Sequence, residues 1–261
     1  MATDIHPTAV IEAGAVVEDG CRIGAYCVIG ANVRLGAGCR LHSHVVVDGH
    51  TTVGPGCEIF SFACIGKQTQ DLKYKGGVCY VEIGSNTVLR EYVTVHAATT
   101  AGNTTSIGND CHILAYNHVA HECKVGNHVI MSNACQLAGH VTVEDAVVFG
   151  GLVGVHQFVR IGRMAMMGAT SKAVQDIAPY CLADGSPAQP VTINKVGMQR
   201  NGRSEDAVSA VTKAFRILFR SSLTLEAALT QLEQEYPNVA EVKDMIQFAR
   251  TSERGLARPK P

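Results

Sequence analysis

The stretch IGNDCH ILAYNH VAHECK VGNHVI MSNACQ LAGHVT (Ile107–Thr142) opens each block of six on a large apolar residue: Ile107, Ile113, Val119, Val125, Met131 and Leu137. The fifth place of the block is small, with Cys111, Cys123, Val129, Cys135 and Val141, and Asn117 is the exception. A period of six fits neither the 3.6-residue turn of an α-helix nor the plain alternation of a strand. It fits short strands joined by tight turns, each turning one large and one small side chain inward, which is the pattern of a β-helix. Three such blocks close a coil, so the chain returns to the same face eighteen residues later, at the usual strand spacing of about 4.8 Å.

The large series extends back through Leu89, Ile65 and Ile59 to Ile5 and forward through Phe149, Val155 and Ile161 to Met167. The small series starts at Ala9 and carries seven of the ten cysteines, Cys21, Cys27, Cys39, Cys57, Cys111, Cys123 and Cys135. With no CxxC pair, these read as buried packing residues and not as a disulfide framework or a zinc site. Two segments break the pattern without losing its phase: KQTQDLKYKGGVCY (Lys67–Tyr80) and TTAGNTTS (Thr99–Ser106). The coils are therefore expected to continue beneath both. The first is charged and specific enough to read as functional, and the second reads as a solvated loop.

The repeat fades after Ala173, and Pro179, Pro187 and Pro190 mark a boundary. Helical spacing follows at Glu205–Arg220, Leu225–Tyr236 and Val239–Arg250, with Ser204 and Thr224 placed as N-caps. The expected architecture is an all-β parallel β-helix over residues 1–190 and a helical domain over 191–261 that caps one open end. The whole chain of 261 residues has a net charge of −1, which argues against non-specific nucleic-acid binding. No apolar run approaches the roughly 20 residues of a membrane span. The opening MATDIHPTAV has no basic n-region and no apolar h-region, so a cytoplasmic location is expected.

Five histidines, His96, His118, His121, His140 and His156, fall off both inward series and are expected to project from the prism. One coil above His121 lies Gly139, and one coil further lies Gln157, with His140 and His156 beside this column. A glycine there lets a ligand approach the backbone closely. A histidine base beside an exposed backbone N–H suits acyl transfer: the base takes the proton of an acceptor hydroxyl, and the N–H stabilises the tetrahedral oxyanion. Glu122, next in the chain, reads equally as the group that orients the imidazole or as a solvated charge.

QDLKY (Gln70–Tyr74), NHVAHE (Asn117–Glu122), LAGH (Leu137–His140), GVHQF (Gly154–Phe158), QDIAPY (Gln175–Tyr180) and RSSLTLEA (Arg220–Ala227) span most of the chain. In these segments it resembles the UDP-N-acetylglucosamine O-acyltransferases of lipid A biosynthesis. The resemblance implies a left-handed coil and transfer of a 3-hydroxyacyl chain from acyl carrier protein to the sugar 3-hydroxyl, with no metal and no cofactor besides the thioester co-substrate. It implies His121 as the base, Gly139 as the oxyanion donor and Glu122 as orienter. Asp71, Lys73, His96, His118, His140, His156, Gln157, Asn194 and Arg200 match positions that contact or shape the nucleotide-sugar site. Ala169 matches the position that sets acyl-chain length. It also implies a homotrimer whose sites lie between subunits, with the Asp71/Lys73 loop against a neighbour's histidines. Lys213, Arg216 and Arg220 are then candidates for docking the acidic carrier protein.

The chain departs from that family's pattern at Glu122, where Asp is usual, and at Val196 and Asn201, where Glu and Arg are common. Three other readings compete: a sibling transferase acting on sugar amines or serine, a γ-type carbonic anhydrase needing three histidines on zinc, and a non-catalytic β-helix scaffold.

Overall fold

The computed structural model describes residues 2–258. The chain winds as a left-handed parallel β-helix with three faces, sheets of eleven, nine and eight strands. Successive coils pair in parallel at the expected interval: Asp4 with Arg22 on the first sheet, Val10 with Val28 on the second and Val16 with Arg34 on the third. Most strands are two residues long, with the outer side chain exposed or half-buried and the inner one buried, as in Arg22–Ile23 and Gln136–Leu137. Both inward series form one continuous core in which Ile29, Leu35, Ile59, Ile113, Leu137, Cys21 and Cys135 are fully buried. Ile5 belongs to the same series but is 42% exposed, because its strand is the end strand of its sheet among the described residues.

The corners are left-handed turns that even large residues adopt: Tyr26, His44, Phe62, Tyr92 and Tyr116 all have φ near +60°. This conformation is costly for non-glycine residues. Stacking compensates here, since these five rings form a ladder up the edge between the first and second sheets with centroid spacings of 5.1, 5.0, 5.1 and 4.8 Å.

All seven cysteines of the small series are buried, and each thiol donates to a backbone carbonyl of the next coil, as from Cys27 to His42 and from Cys123 to Ala138. Burial pushes the Cys111 thiol up to about 11 and the Cys123 thiol up to about 12, so neither supplies thiolate at neutral pH. Native protein treated with a thiol reagent is expected to label rapidly at Cys64, which alone among the ten is not buried. Fast labelling of the inward seven before unfolding would contradict this packing.

Asn117 breaks the small series for a reason the structure supplies. Its amide nitrogen donates to Leu114 and Met131 carbonyls at 2.8 and 3.0 Å, and its oxygen accepts from the Cys135 N–H at 2.7 Å. It satisfies three buried backbone groups at the corner just before His118.

The two breaks differ from expectation. Cys64 pairs with Thr94, thirty residues on, and Thr94 with His118, twenty-four on, where the ordinary coil takes eighteen. Residues 68–79 and 98–103 are thus excursions of two blocks and one block that leave the prism. The phase survives because each insertion is a multiple of six, not because coils run beneath. Both leave from the edge between the second and third sheets, the edge that carries His121.

At the far end the strands Cys181–Gly185 and Ala188–Ile193 form an antiparallel hairpin on the first sheet, across the boundary drawn at residue 190. Pro190 is tolerated because its strand is the outermost of the sheet and needs no outward ladder donor. Four helices follow: α1 (Lys195–Arg200), α2 (Glu205–Arg220), α3 (Leu225–Glu235) and α4 (Ala240–Arg250). Ser204 and Thr224 cap α2 and α3 by accepting from the N–H groups of Ala207 and Ala227. The short α1, with Gly197 in its middle, has no apolar periodicity to announce it. Tyr180 on the prism donates to Asp244 of α4 at 2.6 Å, and Arg160 lies over Phe248, fixing the helices to that end. No helix among the described residues is long and apolar enough to cross a membrane.

Candidate active site

His121 stands at the corner between strands His118–Val119 and Lys124–Val125. Its Nδ1 lies 2.5 Å from Glu122 Oε2. The other carboxylate oxygen of Glu122 accepts from the Thr99 and Thr100 N–H groups, both at 2.9 Å, and the Glu122 N–H donates to Thr105 Oγ1 at 2.8 Å. Burial alone would raise the Glu122 carboxyl. The Thr100 N–H, the His121 imidazole and the Thr99 N–H all favour its anion, and together they hold it below the usual carboxylate range. An anchored carboxylate on Nδ1 fixes the tautomer and leaves Nε2 as the free base nitrogen.

On the other side of the ring, Asp71 Oδ2 lies 3.7 Å from Nε2. That gap is too long for a hydrogen bond and leaves an acceptor hydroxyl space to reach Nε2. Asp71 is held by its own turn, where its Oδ1 accepts from the Lys73 N–H at 2.9 Å. The loop therefore reaches the histidine of its own chain, where the resemblance implied a neighbour's. The second break is solvated at residues 100–103, as expected, but it also serves the site: Thr99 and Thr100 hold Glu122, and Thr99 Oγ1 donates to Thr69 to join the two excursions.

Gly139 lies over the His121 ring. A Cβ built on it would overlap the imidazole at Cε1 and Nε2, so only glycine fits without moving the base. Among the described residues the Gly139 N–H donates to no protein acceptor. His140 packs edge-on against His121 at 5.2 Å and stacks on Phe158 at 4.8 Å. A cleft of about 540 Å³ beside them is lined by Asp71, Lys73, Lys75, His140, Gln157 and Phe158.

The remaining histidines are less uniform than their shared outward phase implies. His96 is buried and meets His118 edge-on at 4.8 Å, while His118 Nδ1 lies 2.7 Å from Thr94 Oγ1. His156 is exposed, near Arg254. Burial, with His96 and His121 adding to it, pushes His118 down to about 4 from an ordinary 6.5. Between those values the unfolded chain binds a proton that the folded chain refuses, so stability is full above pH 6.5 and falls as pH drops towards 4. His118→Gln should shrink the loss measured between about pH 7.5 and 5 by on the order of 2 kcal/mol. An unchanged acid limb in that variant would show that His118 is not a source of it.

Asn194 and Arg200 do not join this cluster within the chain. Asn194 caps α1 by accepting from the Gly197 N–H and donates to the Met164 carbonyl, on the edge between the third and first sheets. Arg200 is exposed at the end of α1. Ala169 is exposed on the edge between the first and second sheets. Thr99, Thr100, Thr105 and Phe158 were not singled out from sequence. Thr105 left a signal, a polar residue on the inward small series, and Thr99 shares its phase one block earlier.

Ligand atoms of His121, Glu122 and His140 come within 4.8 Å of one another, close enough to suggest a metal triad. Both Glu122 oxygens already accept hydrogen bonds, two from backbone and one from Nδ1, which is the bonding of an orienting carboxylate.

The chain matches the family profile described as UDP-N-acetylglucosamine O-acyltransferase, domain 2, over residues 176–257, and the bacterial transferase hexapeptide profile over residues 2–37. The acyl-[acyl-carrier-protein]–UDP-N-acetylglucosamine O-acyltransferase of Thermodesulfovibrio yellowstonii is 45% identical over 256 residues, covering 98% of this chain and 99% of that one. The solved UDP-N-acetylglucosamine acyltransferase of Francisella novicida superposes with a TM-score of 0.95 at 32% identity, covering 98% and 94% of the two chains. That of Moraxella catarrhalis superposes with a TM-score of 0.91 at 40% identity, covering 97% and 99%.

Proposed function

The chain belongs to the UDP-N-acetylglucosamine O-acyltransferase family, and from that premise we propose that it transfers a 3-hydroxyacyl chain from acyl carrier protein to the 3-hydroxyl of UDP-N-acetylglucosamine, the first step of lipid A biosynthesis. The observation that supports this chemistry most is the stack of Glu122, His121 and Gly139: an oriented base beneath a free backbone N–H.

Nε2 of His121 takes the proton of the 3-hydroxyl as its oxygen attacks the thioester carbonyl carbon. The Gly139 N–H receives the developing oxyanion. Glu122 and Asp71, one anion near each ring nitrogen, stabilise the imidazolium that forms. As the tetrahedral intermediate collapses, the C–S bond breaks and the Nε2 proton goes to the departing thiolate. The balance closes on the two substrates without an oxidant, a reductant or a cofactor. Lys73 and Gln157, in the adjoining cleft, are placed to hold the sugar and its phosphates.

We assign the working unit to a homotrimer. Asn194 and Arg200 lie on a different edge of the prism from His121, so a site that uses both sets needs a second subunit. Lys213, Arg216 and Arg220, exposed along α2, offer the acidic carrier protein a basic stripe.

The test is an acyl-transfer assay with 3-hydroxyacyl carrier protein and UDP-N-acetylglucosamine or its 3-amino analogue, with the mass in solution measured on the same sample. An alkali-labile sugar ester and a mass three times the 27.7 kDa chain are expected. Amide product from the amino sugar alone would point to the amine-acylating siblings, and no product from either would refute the assignment.

A further inference from the structure

His121 lies between two carboxylates that are held by different segments. Glu122 meets Nδ1 and is anchored by the Thr99 and Thr100 N–H groups of the second excursion, while Asp71, 3.7 Å from Nε2, belongs to the first. One hydroxyl joins the two sides. Thr69 Oγ1 accepts from the Asp71 N–H and from Thr99 Oγ1, both at 3.0 Å. The contacts close a ring that runs from Thr69 to Asp71, His121, Glu122, Thr99 and back to Thr69.

Burial fits Thr69 to this place. Of residues 68–79 only Thr69 and Cys79 are buried, and Gln68 and Gln70 on either side of Thr69 are exposed. Both buried side chains bond to the second excursion, since the Cys79 thiol donates to the Thr100 carbonyl at 3.4 Å. The Lys73 N–H fixes the Asp71 carboxylate only within its own turn. Thr69 ties that turn to the segment that holds Glu122, and a buried hydroxyl with two donors on it is itself held in one position.

We propose that Thr69 is a positioning residue for acyl transfer: its hydroxyl keeps Asp71 at the distance from Nε2 that admits the acceptor hydroxyl, in register with the carboxylate on Nδ1. This rests on the transferase reading above. Among the described residues Thr69 makes no hydrogen bond to the imidazole. It acts through Asp71 on one side of the ring and through Thr99 and Glu122 on the other. Both anions have to be in place when the ring takes up the proton.

The experiment measures kcat with 3-hydroxyacyl carrier protein and saturating UDP-N-acetylglucosamine for the wild type, Thr69→Val and Thr69→Ser. Valine keeps the shape and leaves both donors without their acceptor. Thr69→Val is expected to lose about tenfold in kcat, and Thr69→Ser, which keeps the hydroxyl, to recover most of it. Added to His121→Ala, Thr69→Val should cost less than about twofold, because its effect passes through the missing ring, whereas a merely structural loss would multiply. Near-normal kcat in Thr69→Val, or a Thr69→Ser protein as impaired as Thr69→Val, overturns the proposal. If Thr69→Val fails to fold, Thr99→Val decides: it keeps the N–H on Glu122 and loses only the hydroxyl on Thr69, so a near-normal kcat there overturns the proposal too. A wild type that transfers while neither valine variant is impaired leaves the transferase reading standing without Thr69. A wild type that transfers nothing removes both.

Discussion

Gly139→Ala is expected to lose at least about 100-fold in kcat, equivalent to about 2.7 kcal/mol of transition-state stabilisation. The added methyl occupies the space of His121 Cε1 and Nε2, so the ring must swing away. That movement breaks the 2.5 Å contact of Nδ1 with Glu122 and takes Nε2 out of line with the acceptor hydroxyl. A displacement of about 1 Å is enough for a loss of this size. Alanine keeps the backbone N–H, so the loss reports on the base and not on a missing oxyanion donor. Because both changes act through one ring, Gly139→Ala combined with His121→Ala should be hardly worse than His121→Ala alone. Near-normal kcat in Gly139→Ala, or losses that multiply in the double variant, would separate the two residues.

The column that makes this prediction was readable in the sequence because the repeat is rigid. Once the period is known, His121, Gly139 and Gln157 stack by position alone, and the same arithmetic buries Cys21 and exposes Gln136. What the period could not supply lies where the chain leaves it. The paths of residues 68–79 and 98–103 depend on contacts between the two excursions, such as the Thr99–Thr69 hydrogen bond. No repeat encodes those contacts. Thr99 and Thr100 act through backbone N–H groups, which every residue but proline carries, so their identities hold no trace of the role. The outward phase of His96 was read correctly as a direction, but burial also depends on neighbouring side chains and loops, and His96 ends 8% exposed. Asn194 and Arg200 show the opposite limit: their match to the family is legible in sequence, while the edge they occupy places them beyond the reach of His121 in one chain.

The glutamate at 122 illustrates how a departure from pattern can be absorbed. Its longer side chain sits at a corner with φ of +53° and still reaches Nδ1, because the Thr99 and Thr100 N–H groups hold the carboxylate from the far side while Thr105 Oγ1 accepts from the residue's own N–H. The orienting function therefore depends on the second excursion as much as on the carboxylate itself.

His121→Ala tests the central claim most directly. The side chain is buried beneath the excursions but lies outside the apolar core, so the variant should keep its assembly mass and a cooperative thermal transition. With 3-hydroxyacyl carrier protein and saturating UDP-N-acetylglucosamine, its kcat should fall by at least about 100-fold, the scale set by removing a general base. A folded, correctly assembled His121→Ala protein that still acylates the sugar at a near-normal rate would contradict the account.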